Sequence, residues 1–161
     1  MPKSSEKDRA SVLFFPPAVP ALLILAGVGL DAWWPIDPGV VLDGPIRYAI
    51  GGVIIAGALL GLGLWAVVVM HRSGQSENPW KPTLSIIERG PFRLTRNPMY
   101  LQMVIVCFGC AVLLWNVWIL IFTPLCGLIL LLVAILPEEA YLERKFGAAY
   151  MAYKTRVRRW I

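Results

Sequence analysis

Charge is scarce in this sequence. Asp, Glu, Lys and Arg make up only 16% of the 161 residues, against about 25% in a typical soluble domain. No charged residue falls in the middle of any apolar run, which argues against a transport pathway. The net charge of +5 sits beside those runs rather than across a folded polar surface, so nucleic acid is not the implied partner. Cysteine is also sparse. Cys107 and Cys110 have the CxxC spacing, but no second ligand pair follows and both lie in an apolar run, as does Cys126. A lone pair does not complete a tetrahedral metal site, so these thiols are expected to act as small buried hydrophobes.

Apolar residues are abundant: 58% of the chain, with a mean hydropathy of +0.67. A bilayer-spanning helix needs about 20 such residues, and four runs qualify. The first is expected from Ala18 to Trp34 and ends in the interfacial pair Trp33 and Trp34. The second, Ile46 to Met70, is rich in glycine (Gly51, Gly52, Gly57, Gly61, Gly63), which lets membrane helices approach closely. The third runs from Met99 to Trp115, Asn116 makes a tight turn, and the fourth runs from Val117 to about Leu136. In the tail, Phe146, Tyr150, Tyr153, Val157 and Trp160 recur at steps of three and four. That spacing predicts an amphipathic helix lying in the membrane interface.

The expected architecture is therefore an all-α integral membrane protein, with about four transmembrane helices and a C-terminal amphipathic helix. It divides into a polar tail (1–17), two transmembrane helices (18–70) and a functional region (71–161). Lys3, Lys7 and Arg9 give the start a weak signal-peptide look. Prolines 16, 17 and 20 and the lack of a small-x-small site favour a retained first helix. The 71–98 segment and the tail are basic, whereas the first connection is acidic and the third minimal. The positive-inside rule then places both termini and segment 71–98 in the cytoplasm, in a bacterial-type inner membrane.

Two clusters meet at that face. One is Gly90-Pro91-Phe92-Arg93-Leu94-Thr95-Arg96-Asn97-Pro98-Met99-Tyr100; the other is Pro137-Glu138-Glu139-Ala140-Tyr141-Leu142-Glu143, followed by Phe146-Gly147 and Tyr150. Singly, each residue has a plain structural account. Asn97 can cap a helix, Pro98 can start one, the arginines can set topology, and the carboxylates can sit at a new helix N-terminus after Pro137. Together they place an acidic pair at the depth of a basic, aromatic, proline-ordered segment.

Gly90-Pro91-Phe92, Arg96-Asn97-Pro98-x-Tyr100, Glu138-Glu139 and Phe146-Gly147-x-x-Tyr150-x-x-Tyr153 resemble the isoprenylcysteine carboxyl methyltransferases and the related phosphatidylethanolamine N-methyltransferases. The resemblance covers residues 83–160. It implies S-adenosylmethionine as cofactor and a lipid or lipid-like methyl acceptor. It also implies cofactor contacts from Leu84, Ser85, Ile86, Ile87, Phe92, Asn97, Pro98, Met99, Tyr100 and Glu138, with Arg96 and Glu139 as the catalytic pair. Gly61 and Gly63 match a cofactor-linked glycine pair of the lipid methyltransferases only weakly, and helix packing is the better account of them. Two positions depart from the carboxyl methyltransferases: Asn97 replaces a usual His, and Ala134 stands where an arginine engages the acceptor's carboxylate. A prenylcysteine acceptor is thereby put in question, and carboxylate and amine nucleophiles both stay open. The competing readings are an NADPH-dependent sterol-type reductase, whose relatives are longer, and a non-enzymatic membrane scaffold.

Overall fold

The computed structural model describes residues 15–40, 42–76, 78 and 81–161. Lys3, Lys7, Arg9 and Glu77 lie outside the described residues. The described residues form helices and loops only. The helices are α1 (Ala18–Trp33), α2 (Gly44–Arg72), α3 (Pro98–Leu114), α4 (Val117–Phe146) and α5 (Ala148–Arg156). Helices α2 and α4 are long and apolar enough to cross a bilayer; α1 and α3 are shorter apolar helices. Large apolar side chains such as Leu22, Leu25, Val53, Leu60, Ile121 and Leu132 face outward, as a lipid-solvated surface requires and a water-solvated one does not.

Small residues set the spacing between helices. A Cβ on Gly51 would lie 2.5–2.7 Å from Leu113, and one on Gly109 would lie 2.6 Å from Ile55, so α2 and α3 touch backbone to backbone. Gly27 does the same for α1 against Ile119 of α4. Asn116 makes the hairpin between α3 and α4 as its sequence suggested. Trp115 takes a left-handed conformation with φ 55°, and the Asn116 side chain accepts from the Ile119 N–H, capping α4. Its amide also donates to the Gly27 carbonyl at 3.3 Å, tying α1 to the turn. The Trp115 and Trp118 indoles donate to the Val40 and Trp34 carbonyls at the same end, where Trp33 and Trp34 are exposed. This gives the molecule an aromatic rim opposite its polar end.

Helix α4 runs on beyond Leu136. It widens to a π-helical stretch at Leu131–Ile135 and continues through Pro137 to Phe146, carrying the acidic pair within one unbroken helix. Proline lacks an N–H and its ring crowds the preceding turn, and the wider π turn sits where that clash would fall. The apolar face of the tail is present, but protein covers it. Tyr150, Tyr153 and Val157 pack with Ile86, Leu142 and Phe146, while Trp160 packs on the main core. Gly147, with φ 50°, turns the chain between α4 and α5 so that the tail folds back over the polar end.

Gly51→Ala should lower the melting temperature of the detergent-solubilised protein, because overpacking of this kind costs about 1–3 kcal/mol. Gly52→Ala has open space at its Cβ and should leave stability unchanged or slightly raised. Equal effects at both positions would refute the close α2–α3 contact.

Candidate functional site

Three chain segments converge at the polar end, and hydrogen bonds fix each one. The loop after α2 is held where Gln75 donates to the Ser85 carbonyl at 2.6 Å and to its hydroxyl at 3.0 Å. Further along, the Thr83 N–H donates to the Tyr141 hydroxyl at 3.3 Å. Gly90 then turns with φ 56°, and a Cβ there would lie 2.9 Å from Val69 and 3.0 Å from the Trp65 indole. Glycine is required on both counts.

The second segment is the approach to α3, and the C-terminal segment after α5 clamps it. The Arg96 N–H donates to the Arg158 carbonyl at 3.0 Å. The Thr95 hydroxyl and the Asn97 amide both donate to the Arg159 carbonyl at 3.0 Å. The Asn97 side chain makes no capping bond to α3, so the helix-cap role that its position suggests is replaced by this tether to the tail.

The third segment is the end of α4. Glu139 is 4% exposed, and its carboxylate receives two hydrogen bonds from Arg159, Nε to Oε1 at 3.0 Å and Nη2 to Oε2 at 2.8 Å. Arg96 Nη2 reaches the same Oε1 at 3.2 Å. Hydrogen bonding to Glu139 raises the Arg159 pKa further, keeping its charge fixed. The Arg96 guanidinium is not satisfied by this pair: its side chain is 8% exposed, and Nε and Nη1 are buried without a partner. Glu138, one residue earlier, takes no part in these pairs and lies beside Tyr100 on the cavity wall.

Two cavities open beside this cluster. The more polar one, about 130 Å³, is walled by Ser76, Lys81, Thr83, Ser85, Ile86, Ile87, Glu139, Tyr141, Tyr150 and Tyr153, among others. The more apolar one, about 410 Å³, is walled by Phe15, Pro16, Pro17, Pro98, Met99, Tyr100 and Met103. Met70, Asn78, Phe92, Arg96, Asn97 and Glu138 line both and form the partition between them.

The structure thus gathers Ser85, Ile86, Ile87, Phe92, Arg96, Asn97, Pro98, Met99, Tyr100, Glu138 and Glu139 around one chamber. Leu84 is not among them: it is 64% exposed and lines neither cavity. Gly61 has nothing near its Cβ position, Gly63 abuts Gln102, and neither lines a cavity. Ala134 is fully buried in the core, so no side chain reaches the chamber from that position. The sequence reading missed Arg159, Phe15–Pro17 and the wall made by Tyr150 and Tyr153. Burial pushes the pKa of both tyrosines up, keeping them neutral phenols, and the Tyr153 hydroxyl donates to the Phe92 carbonyl at 2.7 Å.

Residues 44–149 match the sequence profile of the phospholipid methyltransferase family, well over half of the chain. The chain belongs to the phospholipid methyltransferase family. Membership indicates a membrane methyltransferase that acts on lipids. No curated protein and no solved structure matches the chain. The profile covers both motif clusters and the partition, and ends just before Tyr150.

Glu139→Ala should destabilise the protein strongly, since it leaves Arg96 buried without its ion-pair partner, a loss worth about 3–5 kcal/mol. Arg159→Ala removes a partner whose side chain is 35% exposed and should cost less. Thermal unfolding in detergent would reveal the order, and an equal or reversed ranking would show that Arg96 does not depend on Glu139.

Proposed function

We propose that this protein transfers a methyl group from S-adenosylmethionine to a lipid or lipid-like acceptor at the cytoplasmic membrane face. The carrying observation is the pair of unlike cavities separated by one shared partition. A water-soluble donor fits the polar side, a lipid acceptor fits the apolar side, and the reacting atoms meet at Phe92, Arg96, Asn97 and Glu138.

The residues present fit the proposed cofactor. It is zwitterionic with a further positive charge at sulfur, and the chamber offers a carboxylate, a partly unpaired guanidinium, hydroxyl groups and aromatic walls. A buried guanidinium lacking partners is costly unless a polar ligand completes it. S-adenosylmethionine, when bound, supplies a methyl already activated for displacement.

The protein's own task is then alignment. Bringing two reactants together in line can supply roughly 7–11 kcal/mol of the barrier. Glu138 binds the cofactor's polar groups from the partition, where it lies beside Tyr100. Ser85, Ile86 and Ile87 present the loop backbone, held in place by Gln75. Glu139, committed to two arginines, acts by positioning Arg96 rather than as a free base. Tyr150, Tyr153 and the tail exclude water from the polar side, which favours charge-neutralising displacement by a carboxylate. A neutral amine acceptor needs its proton taken up, by Glu138 or by water. Both termini and residues 71–98 face the cytoplasm in this reading, where the cofactor is made available.

Label from methyl-labelled S-adenosylmethionine should enter the organic phase when the purified protein is incubated with a total lipid extract. Glu138→Gln should weaken cofactor binding in titration calorimetry while membrane insertion is kept. Absence of transfer together with NADPH binding would favour the reductase, and binding of neither nucleotide would favour a scaffold. Met103→Trp, which fills the apolar cavity, should raise the acceptor KM at least several-fold with cofactor affinity unchanged. A fall in cofactor affinity instead would show that the two cavities are wrongly assigned.

A further inference from the structure

The geometry points to Arg96 as an anion receptor: one of its unpaired nitrogens, Nε or Nη1, donates to a carboxylate or phosphate group of a ligand in the chamber. This inference rests on the chamber being the ligand site proposed above, and it adds what kind of group the site takes and which atoms take it.

Three observations converge on it. The first is donor satisfaction. A guanidinium has five N–H donors, one on Nε and two on each terminal nitrogen. Only Nη2 of Arg96 has a partner, although the side chain is 8% exposed and borders both cavities. The second is charge. Arg96 and Arg159 share the single carboxylate of Glu139, so neither guanidinium has an ion-pair partner to itself among the described residues. Glu138 makes no ion pair with either arginine among the described residues, and Lys81 adds a further cation to the polar wall. The third is rigidity. The Arg96 backbone N–H is bound to Arg158, its two neighbours are bound to Arg159, and Nη2 is held by Glu139. Such a fixed, charged donor favours an oxyanion over a neutral acceptor, because charge-assisted bonds are stronger than neutral ones.

Two bound species carry the required group: the carboxylate of the cofactor's amino-acid part and the phosphate of a lipid headgroup. Calorimetry on the purified full chain in detergent distinguishes them with two ligand pairs, each differing only in the anionic group. One pair is S-adenosylhomocysteine and its decarboxylated analogue; the other is dioctanoyl phosphatidic acid and dioctanoyl glycerol. In the wild type, the anionic member of one pair should bind about tenfold more tightly or better. Arg96→Gln should abolish that preference, whereas Arg93→Gln, an exposed position outside both cavities, should keep it. Preference in the first pair assigns the anion to the cofactor, and preference in the second assigns it to the lipid. Lack of preference in both pairs, or a preference that survives Arg96→Gln, overturns the proposal. If Arg96→Gln does not fold, the wild-type comparison and Arg96→Lys decide, the lysine keeping charge but losing most of the preference. Because binding is measured rather than turnover, a protein that transfers methyl groups yet shows no preference loses this inference alone.

Discussion

A single buried carboxylate organises the polar end of this protein. Glu139 sits near the end of a helix that crosses the membrane, where an unpaired charge is not tolerated. Its compensation comes from two chain segments far apart in sequence, Arg96 before α3 and Arg159 at the C-terminus. Drawing those arginines to one point brings the loop, the hairpin and the tail into contact. The backbone bonds from Arg96, Thr95 and Asn97 to residues 158 and 159 then close the arrangement. The chamber exists because these three segments meet around it.

The neighbouring carboxylate has a different environment for a geometric reason. Consecutive residues on a helix point about 100° apart. When Glu139 faces the arginines, Glu138 must turn along the partition, where it meets Tyr100 and both cavities. The π-helical stretch at Leu131–Ile135 helps set that register. It adds a residue to the turn just before Pro137, changing which face the acidic pair presents without ending the helix. Because adjacent helix positions diverge in this way, binding and holding fall to neighbouring residues of the acidic pair.

Much of this was legible in the sequence because local chemistry decided it. Asn116 between two apolar runs predicted the hairpin, the glycines of α2 predicted close helix approach, and the motif residues predicted where the polar end would gather. The role of the tail was not legible. Its steps of three and four from Phe146 to Trp160 identify an apolar helix face, and that pattern is the same whether lipid or protein covers it. What decided the matter was Gly147 with positive φ, which folds α5 back, and Arg159, whose partner lies on another helix. Leu84 stands apart because its side chain is exposed, while the next three residues, Ser85, Ile86 and Ile87, line the polar cavity.

The limits of the family match have a structural meaning. The matched segment, 44–149, contains the hairpin, the acidic pair and every residue of the partition. The parts that complete the chamber lie outside it: Phe15–Pro17 wall the apolar cavity from one end of the chain, while Tyr150, Tyr153 and Arg159 close the polar cavity from the other. A shared partition fixes where the two reactants meet and so constrains the chemistry. The outer walls fix only which molecules fit on each side. Changes in the chain's ends can therefore alter the acceptor or the exclusion of water while leaving the alignment at Phe92, Arg96, Asn97 and Glu138 intact. The tail is the exception, since Arg159 reaches through to Glu139 and so links closure of the polar side to the position of Arg96 itself.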